Sequence, residues 1–107
     1  MSMSRIRVMV FGRLNRLEDQ KAFEAAFTEV STSVKGTPGH IMDELLHDAG
    51  DPNVYILMSE WASKEEFLSW EQSPIHMRKT LPMRPYWKGV GERSIHEIAV
   101  RLDEHAA

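Results

Sequence analysis

Apolar side chains alternate along residues 5–11. Ile6, Val8 and Val10 share one side, and Met9 and Phe11 share the other with Arg7. Period two with β-branched residues predicts a strand, and apolar residues on both sides predict that both faces are covered. Residues 12–16 then turn mostly polar. Over residues 17–34 the period lengthens: Phe23, Ala26, Phe27, Val30 and Val34 fall three or four apart, on one face of a helix. Glu18 and Asp19 suit the positive end of its dipole. Gly36, Thr37, Pro38 and Gly39 stop it, because glycine accepts a left-handed cap and proline blocks continuation.

Residues 40–47 alternate again, with Ile41, Asp43, Leu45 and His47 opposite Met42, Glu44 and Leu46. The turn-rich stretch Asp48-Ala49-Gly50-Asp51-Pro52-Asn53 leads into a strand over 54–61, so the two strands form an antiparallel hairpin. Tyr55, Leu57, Ser59 and Trp61 share one of its faces. Ser63-Lys64-Glu65-Glu66 has the form of a capping box, and the helix it opens carries Phe67 and Trp70. Ser73-Pro74 starts a second, shorter helix with Ile75, His76, Met77, Arg78 and Leu81, ended by Pro82 and Pro85. Tyr86-Trp87 is expected in an irregular loop, a last strand over about 92–102, and a frayed polar tail over 103–107.

The order β-α-β-β-α-(α)-β predicts an α+β fold: a ferredoxin-like, four-stranded antiparallel sheet with helices on one face. One helix layer cannot cover both faces, yet Met9, Phe11, Ile56 and Met58 are placed on the open one. A homodimer with the two sheets face to face, a dimeric α+β barrel, resolves this. With no linker, low-complexity run or long repeat, the whole of residues 1–107 is expected to be a single domain with its core over about 5–102.

Composition narrows the function. The absence of cysteine excludes disulfides, zinc–thiolate sites, cysteine-ligated iron–sulfur clusters and a thiol nucleophile. A formal net charge of -3 gives no basic field for nucleic acid. No apolar run approaches the roughly 18 residues of a membrane span, and no signal pattern precedes the first strand. The expectation is a cytoplasmic protein.

The five histidines are His40, His47, His76, His96 and His105. None has HExxH or HxH spacing, so no metal is expected. His47 ends a strand beside a turn, where a neutral imidazole can take a proton near pH 7; the plainer alternative is a solvated strand-edge residue. Trp61 and Trp70, on a strand end and the next helix, are placed to stack on a planar ligand or simply to pack the core. Arg78 and His76 share a helical turn that can hold an oxyanion, or can be ordinary surface charge. GxSxG, P-loop and GxGxxG motifs are absent.

Pro38-Gly39-His40, the Asp51-centred turn, the segment from Tyr55 through Ser59-Glu60-Trp61-Ala62-Ser63 to Phe67, and Ser73-Pro74-Ile75-His76 together resemble the antibiotic biosynthesis monooxygenase family. The resemblance spans roughly residues 38–76, and its Trp-x-Ser-x-x-x-Phe signature follows in part from the capping box. It implies the dimeric barrel already inferred. It also implies one of several activities: cofactor-independent oxygenation of polycyclic phenols, quinol oxidation or haem degradation. Trp61 resembles the strand-end tryptophan of the polyketide oxygenases, and His47 a histidine found before the turn. Their asparagine corresponds to Leu57, and their aromatic hydroxyl to Phe67. Trp70 resembles the helix tryptophan of the haem-degrading branch, whose axial histidine falls on Thr80 and whose strand-one asparagine falls near Gly12.

Two classes of function follow. One is a monooxygenase without cofactor that oxidises an aromatic polyketide, phenol or quinol-like molecule with O2. In it His47 is the base, Arg78 the oxyanion partner, and Tyr55, Leu57, Trp61, Phe67, Trp70 and His76 shape the substrate site. The other is a non-oxidative ligand-binding or cyclase-like protein on the same scaffold. Haem degradation ranks below both.

Overall fold

The computed structural model describes residues 4–102. The expected tail over 103–107, including His105, lies outside them. Strand β1 (Ile6–Leu14) leads through a 3-10 turn (Leu17–Asp19) into helix α1 (Gln20–Val34). The hairpin β2 (His40–His47) and β3 (Val54–Trp61) follows, then α2 (Lys64–Gln72), α3 (Pro74–Thr80), β4 (Trp87–Gly89) and β5 (Ser94–Glu97).

All strand pairs are antiparallel. The sheet runs β2-β3-β1-β4, and β5 pairs with β1 on the same edge as β4. The fourth position is thus one edge made of two pieces. Gly12–Leu14 of β1 pairs with 87–89 and Ile6–Met9 with 94–97, and the break at 90–93 contains Gly91 at φ +72°. Two expectations are corrected here. The last strand covers only Ser94–Glu97 of the expected 92–102, and Trp87 lies in a strand rather than a loop. The first strand also runs three residues past Phe11, to Leu14, because β3 pairs with Gly12 and Arg13 on one side and β4 with Gly12–Leu14 on the other.

The helices lie on one face of the sheet. Ile6, Val8, Tyr55 and Trp61 are buried beneath them, as the alternation predicted, with Phe23, Ala26, Val30 and Val34 of α1 packed on top. Burying such side chains contributes roughly 1.5–3 kcal/mol each. Ser63 caps α2: its hydroxyl accepts from the Glu66 amide at 3.2 Å and donates to the Glu66 carboxylate at 3.1 Å. Ser73 caps α3 by accepting from the Ile75 amide at 3.2 Å. At the start of α1 Glu18 and Asp19 stand at the N-terminal end of the helix, as expected, with Asp19 at the N-cap position. Asp19 makes no side-chain cap, and Glu18 pairs with Arg16 at 2.6 Å.

The opposite sheet face has no helix over it. It carries Arg7, Met9, Phe11, Leu46, Ile56, Met58 and Glu60, and Phe11 and Leu46 are exposed. Glu60 is buried on this face among arginines, with Arg101 at 2.5 Å, Arg7 at 3.3 Å and Arg5 at 3.6 Å. Burial alone pushes its carboxyl up, but Arg101 and then Arg7 more than offset that and hold it below the ordinary value. One helix layer on one sheet makes a slab of 45 × 42 × 25 Å.

Candidate active site

Between the sheet and the helices lies a cavity of about 530 Å³. Val8, Val10, Asp43, Leu57, Ser59 and Trp61 form its floor, and Phe27, Val30, Ser31 and Val34 of α1 form one wall. Phe67, Trp70 and Glu71 of α2, with His76 and Thr80 of α3, form another. Met83, Arg84, Trp87, Lys88, Gly89 and Arg93 complete the lining. An apolar enclosure with a few polar groups is the usual form of a small-molecule site, within the common range of about 300–1,000 Å³.

The aromatic side is ordered by contact. Trp61 is buried; its indole N–H donates to the Ser59 hydroxyl at 3.0 Å, and its ring meets His40, Phe67 and Trp70 at 5.1, 5.5 and 6.4 Å. The His76 ring stands edge-on to Trp70 at 5.1 Å. Burial lowers the imidazole pKa of His76, the Arg84 charge lowers it further, and Glu71 opposes both. His76 is therefore neutral at pH 7, with a lone pair to accept a proton. Glu71 forms a two-bond pair with Arg93, at 2.6 and 2.7 Å, which holds its carboxyl below the ordinary value.

Of the residues singled out from the sequence, Leu57, Trp61, Phe67, Trp70 and His76 come together around this space. Tyr55, His47 and Arg78 do not line it. Tyr55 is core: its ring meets Phe23 edge-on at 5.0 Å, and its hydroxyl donates to Glu24 at 2.6 Å. Burial, reinforced by Glu24, raises the pKa of that phenol well above its ordinary value. His47 keeps the helix-side parity of Leu45 but sits at the exposed end of β2, stacked on Tyr55 at 4.2 Å. Its Nε2 lies 2.8 Å from the Pro52 carbonyl. A carbonyl only accepts, so Nε2 carries the hydrogen. Arg78 is exposed on α3.

The structure adds a group that the sequence concealed. His40 Nε2 lies 2.9 Å from one Asp43 oxygen, and the Ser31 hydroxyl donates to the other at 2.8 Å. Positions three apart on a regular strand face opposite ways, so the sequence placed His40 and Asp43 on opposite faces. A bulge between His40 and Met42 reverses the parity and turns both toward α1 and Trp61. Among the described residues no three His, Asp or Glu side chains converge as a metal site requires. None of the described helices is long and apolar enough to cross a membrane.

Residues 8–80 match the family model for antibiotic biosynthesis monooxygenases. The chain belongs to the antibiotic biosynthesis monooxygenase family. Within that family's fold, it is similar to SnoaB, a cofactor-independent oxygenase from Streptomyces nogalater. The TM-score is 0.75 and the identity 16%, over 94% of this chain and 99% of that one. It is similar also to the haem-degrading protein Rv3592 of Mycobacterium tuberculosis, with a TM-score of 0.69 and 16% identity over 94% and 99%. At these identities the likeness speaks for the fold alone. In sequence, Protein SchA of Streptomyces halstedii is 33% identical over 103 residues, which are 96% of this chain and 27% of that protein. A 42.8 kDa protein in the whiE locus of Streptomyces coelicolor is 33% identical over 64 residues, 60% of this chain and 16% of that protein. The family member described here thus spans about a quarter or less of the length of the curated relatives it matches.

Proposed function

We propose that this chain is a cofactor-independent monooxygenase that oxidises an aromatic polyketide, phenol or quinol-like molecule with O2. The observation that carries the reading is the cavity itself: Trp61, Trp70, Phe67 and Leu57 offer flat apolar walls, with a small set of polar groups among them. SnoaB, on the same fold, is a cofactor-independent oxygenase. In this chemistry the substrate supplies the electrons. Loss of a proton gives a carbanion-like centre that reduces O2 directly; one oxygen atom enters the product and the other leaves as water. The protein must exclude solvent, accept the proton and stabilise the developing oxyanion. The roles expected of His47 and Arg78 pass in this reading to residues that line the cavity. Neutral His76 accepts the proton, and Arg84 beside it stabilises the oxyanion.

Leu57 favours a second reading. It puts an apolar wall where the resemblance to polyketide oxygenases expects an asparagine, which suits a non-oxidative binding or cyclase-like protein. An oxygen electrode separates the two. With a panel of anthrones and hydroquinones, the oxygenase reading expects protein-dependent oxygen uptake matched by quinone absorbance. Saturable binding without uptake selects the second reading. We propose further that two copies pair through the open sheet face, which carries exposed Phe11 and Leu46 beside Met9 and Ile56.

A further inference from the structure

We propose that Asp43 is the specificity-determining residue of the cavity: it accepts a hydrogen bond from a ring hydroxyl of the ligand and so selects hydroxylated aromatics over their ethers. The proposal rests on the reading of the cavity as a site for an aromatic small molecule. Two carboxylates line that space, Asp43 and Glu71. Glu71 is committed to the Arg93 guanidinium through both oxygens. Asp43 is instead held by a hydroxyl and an imidazole, Ser31 at 2.8 Å and His40 at 2.9 Å, one on each oxygen. A carboxylate has about four acceptor positions, so two contacts leave acceptor capacity on both oxygens.

The placement of Asp43 gives that capacity a direction. Its side chain is 10% exposed and that of His40 is 8% exposed. Asp43 pairs across the sheet with Ser59, in the floor that also holds Trp61. The Ser31 and His40 contacts fix its rotamer from the helix side and from its own strand. An aromatic ring held in this cavity can turn a ring hydroxyl toward Asp43, which lines it. A hydroxyl there gains a charge-assisted hydrogen bond. A methyl ether of the same shape offers no hydrogen and leaves the remaining acceptor positions of the buried carboxylate facing the ether with neither water nor a donor, beyond the Ser31 and His40 contacts. That penalty is why sites built to hydrogen-bond a hydroxyl reject analogues that lack one.

Equilibrium dialysis under argon with 1-naphthol and 1-methoxynaphthalene tests this without any turnover. The intact protein should bind the naphthol about tenfold or more tightly than the ether, the ratio expected for one hydrogen bond to a charged acceptor. Asp43→Leu should reduce that preference to within about twofold by removing the acceptor. Because Asp43→Leu strands Ser31 and His40, Asp43→Asn serves as the second variant: it keeps the volume and one acceptor oxygen, and should show an intermediate preference. A tenfold preference that survives both substitutions overturns the assignment, as does equal binding of the two probes by the intact protein. Failure to bind either probe overturns both this proposal and the aromatic-site reading. Binding without discrimination removes Asp43 alone and leaves that reading standing.

Discussion

His76 meets Trp70 edge-on in the cavity wall, and its depressed basicity has a consequence for acid stability. In the unfolded chain its imidazole gains a proton as pH falls through about 6.5, while in the folded protein it stays neutral to lower pH. Protons therefore favour the unfolded chain in that window. The contribution of His76 is fully present above about pH 6.5 and is lost as the pH falls below it. Urea midpoints at about pH 7.5 and 5.5 should fall less for His76→Gln than for the unaltered protein. Equal falls, or an imidazole NMR titration centred above the ordinary value, would remove the basis for calling His76 the proton acceptor. His76 was legible from its place after Ser73-Pro74. His40 and Asp43 were not, because a bulged residue leaves no mark in an alternating pattern.

At the scale of elements, a glycine in β1 constrains one part of the cavity wall. The Trp87 indole lies across Gly12, where a Cβ would stand 2.3 Å from the ring. That ring in turn packs on Phe23 at 5.0 Å. Gly12→Ala should cost about 1–3 kcal/mol by overpacking, and should displace an indole that lines the cavity. Trp87→Leu placed on the Gly12→Ala background should recover part of that loss, and a double-mutant cycle of denaturation free energies reads the coupling. Strictly additive effects would mean the two residues do not press on each other. The helices and first three strands were legible because their periods and caps are local: the Ser63 and Ser73 hydroxyls bond as the spacing implied. The split edge was not. Trp87–Gly89 is three residues long and is a strand only because Gly12–Leu14 lies beside it.

At the scale of the whole molecule, the slab has one face under helices and one face without. If two copies close that face, sedimentation equilibrium at micromolar concentration should give about twice the 12.3 kDa of the chain. Phe11→Lys, which sets a charge on an exposed apolar position of the open face, should shift the protein toward monomer with little change in the cavity. A stable 12.3 kDa species for the unaltered chain would exclude the paired sheets. The position of β1 reaches further than the assembled state. Ile6 pairs with Trp61 on one side and with Glu97 on the other. During synthesis, then, this inner strand of the sheet is made before both of its neighbours and waits for them. Closing such distant pairings is slow, and until they form β1 is an apolar strand with two open edges. Ribosome-bound chains halted before Ser94 should thus remain protease-sensitive and dependent on holding chaperones, and should become resistant only once the last strand has left the exit tunnel.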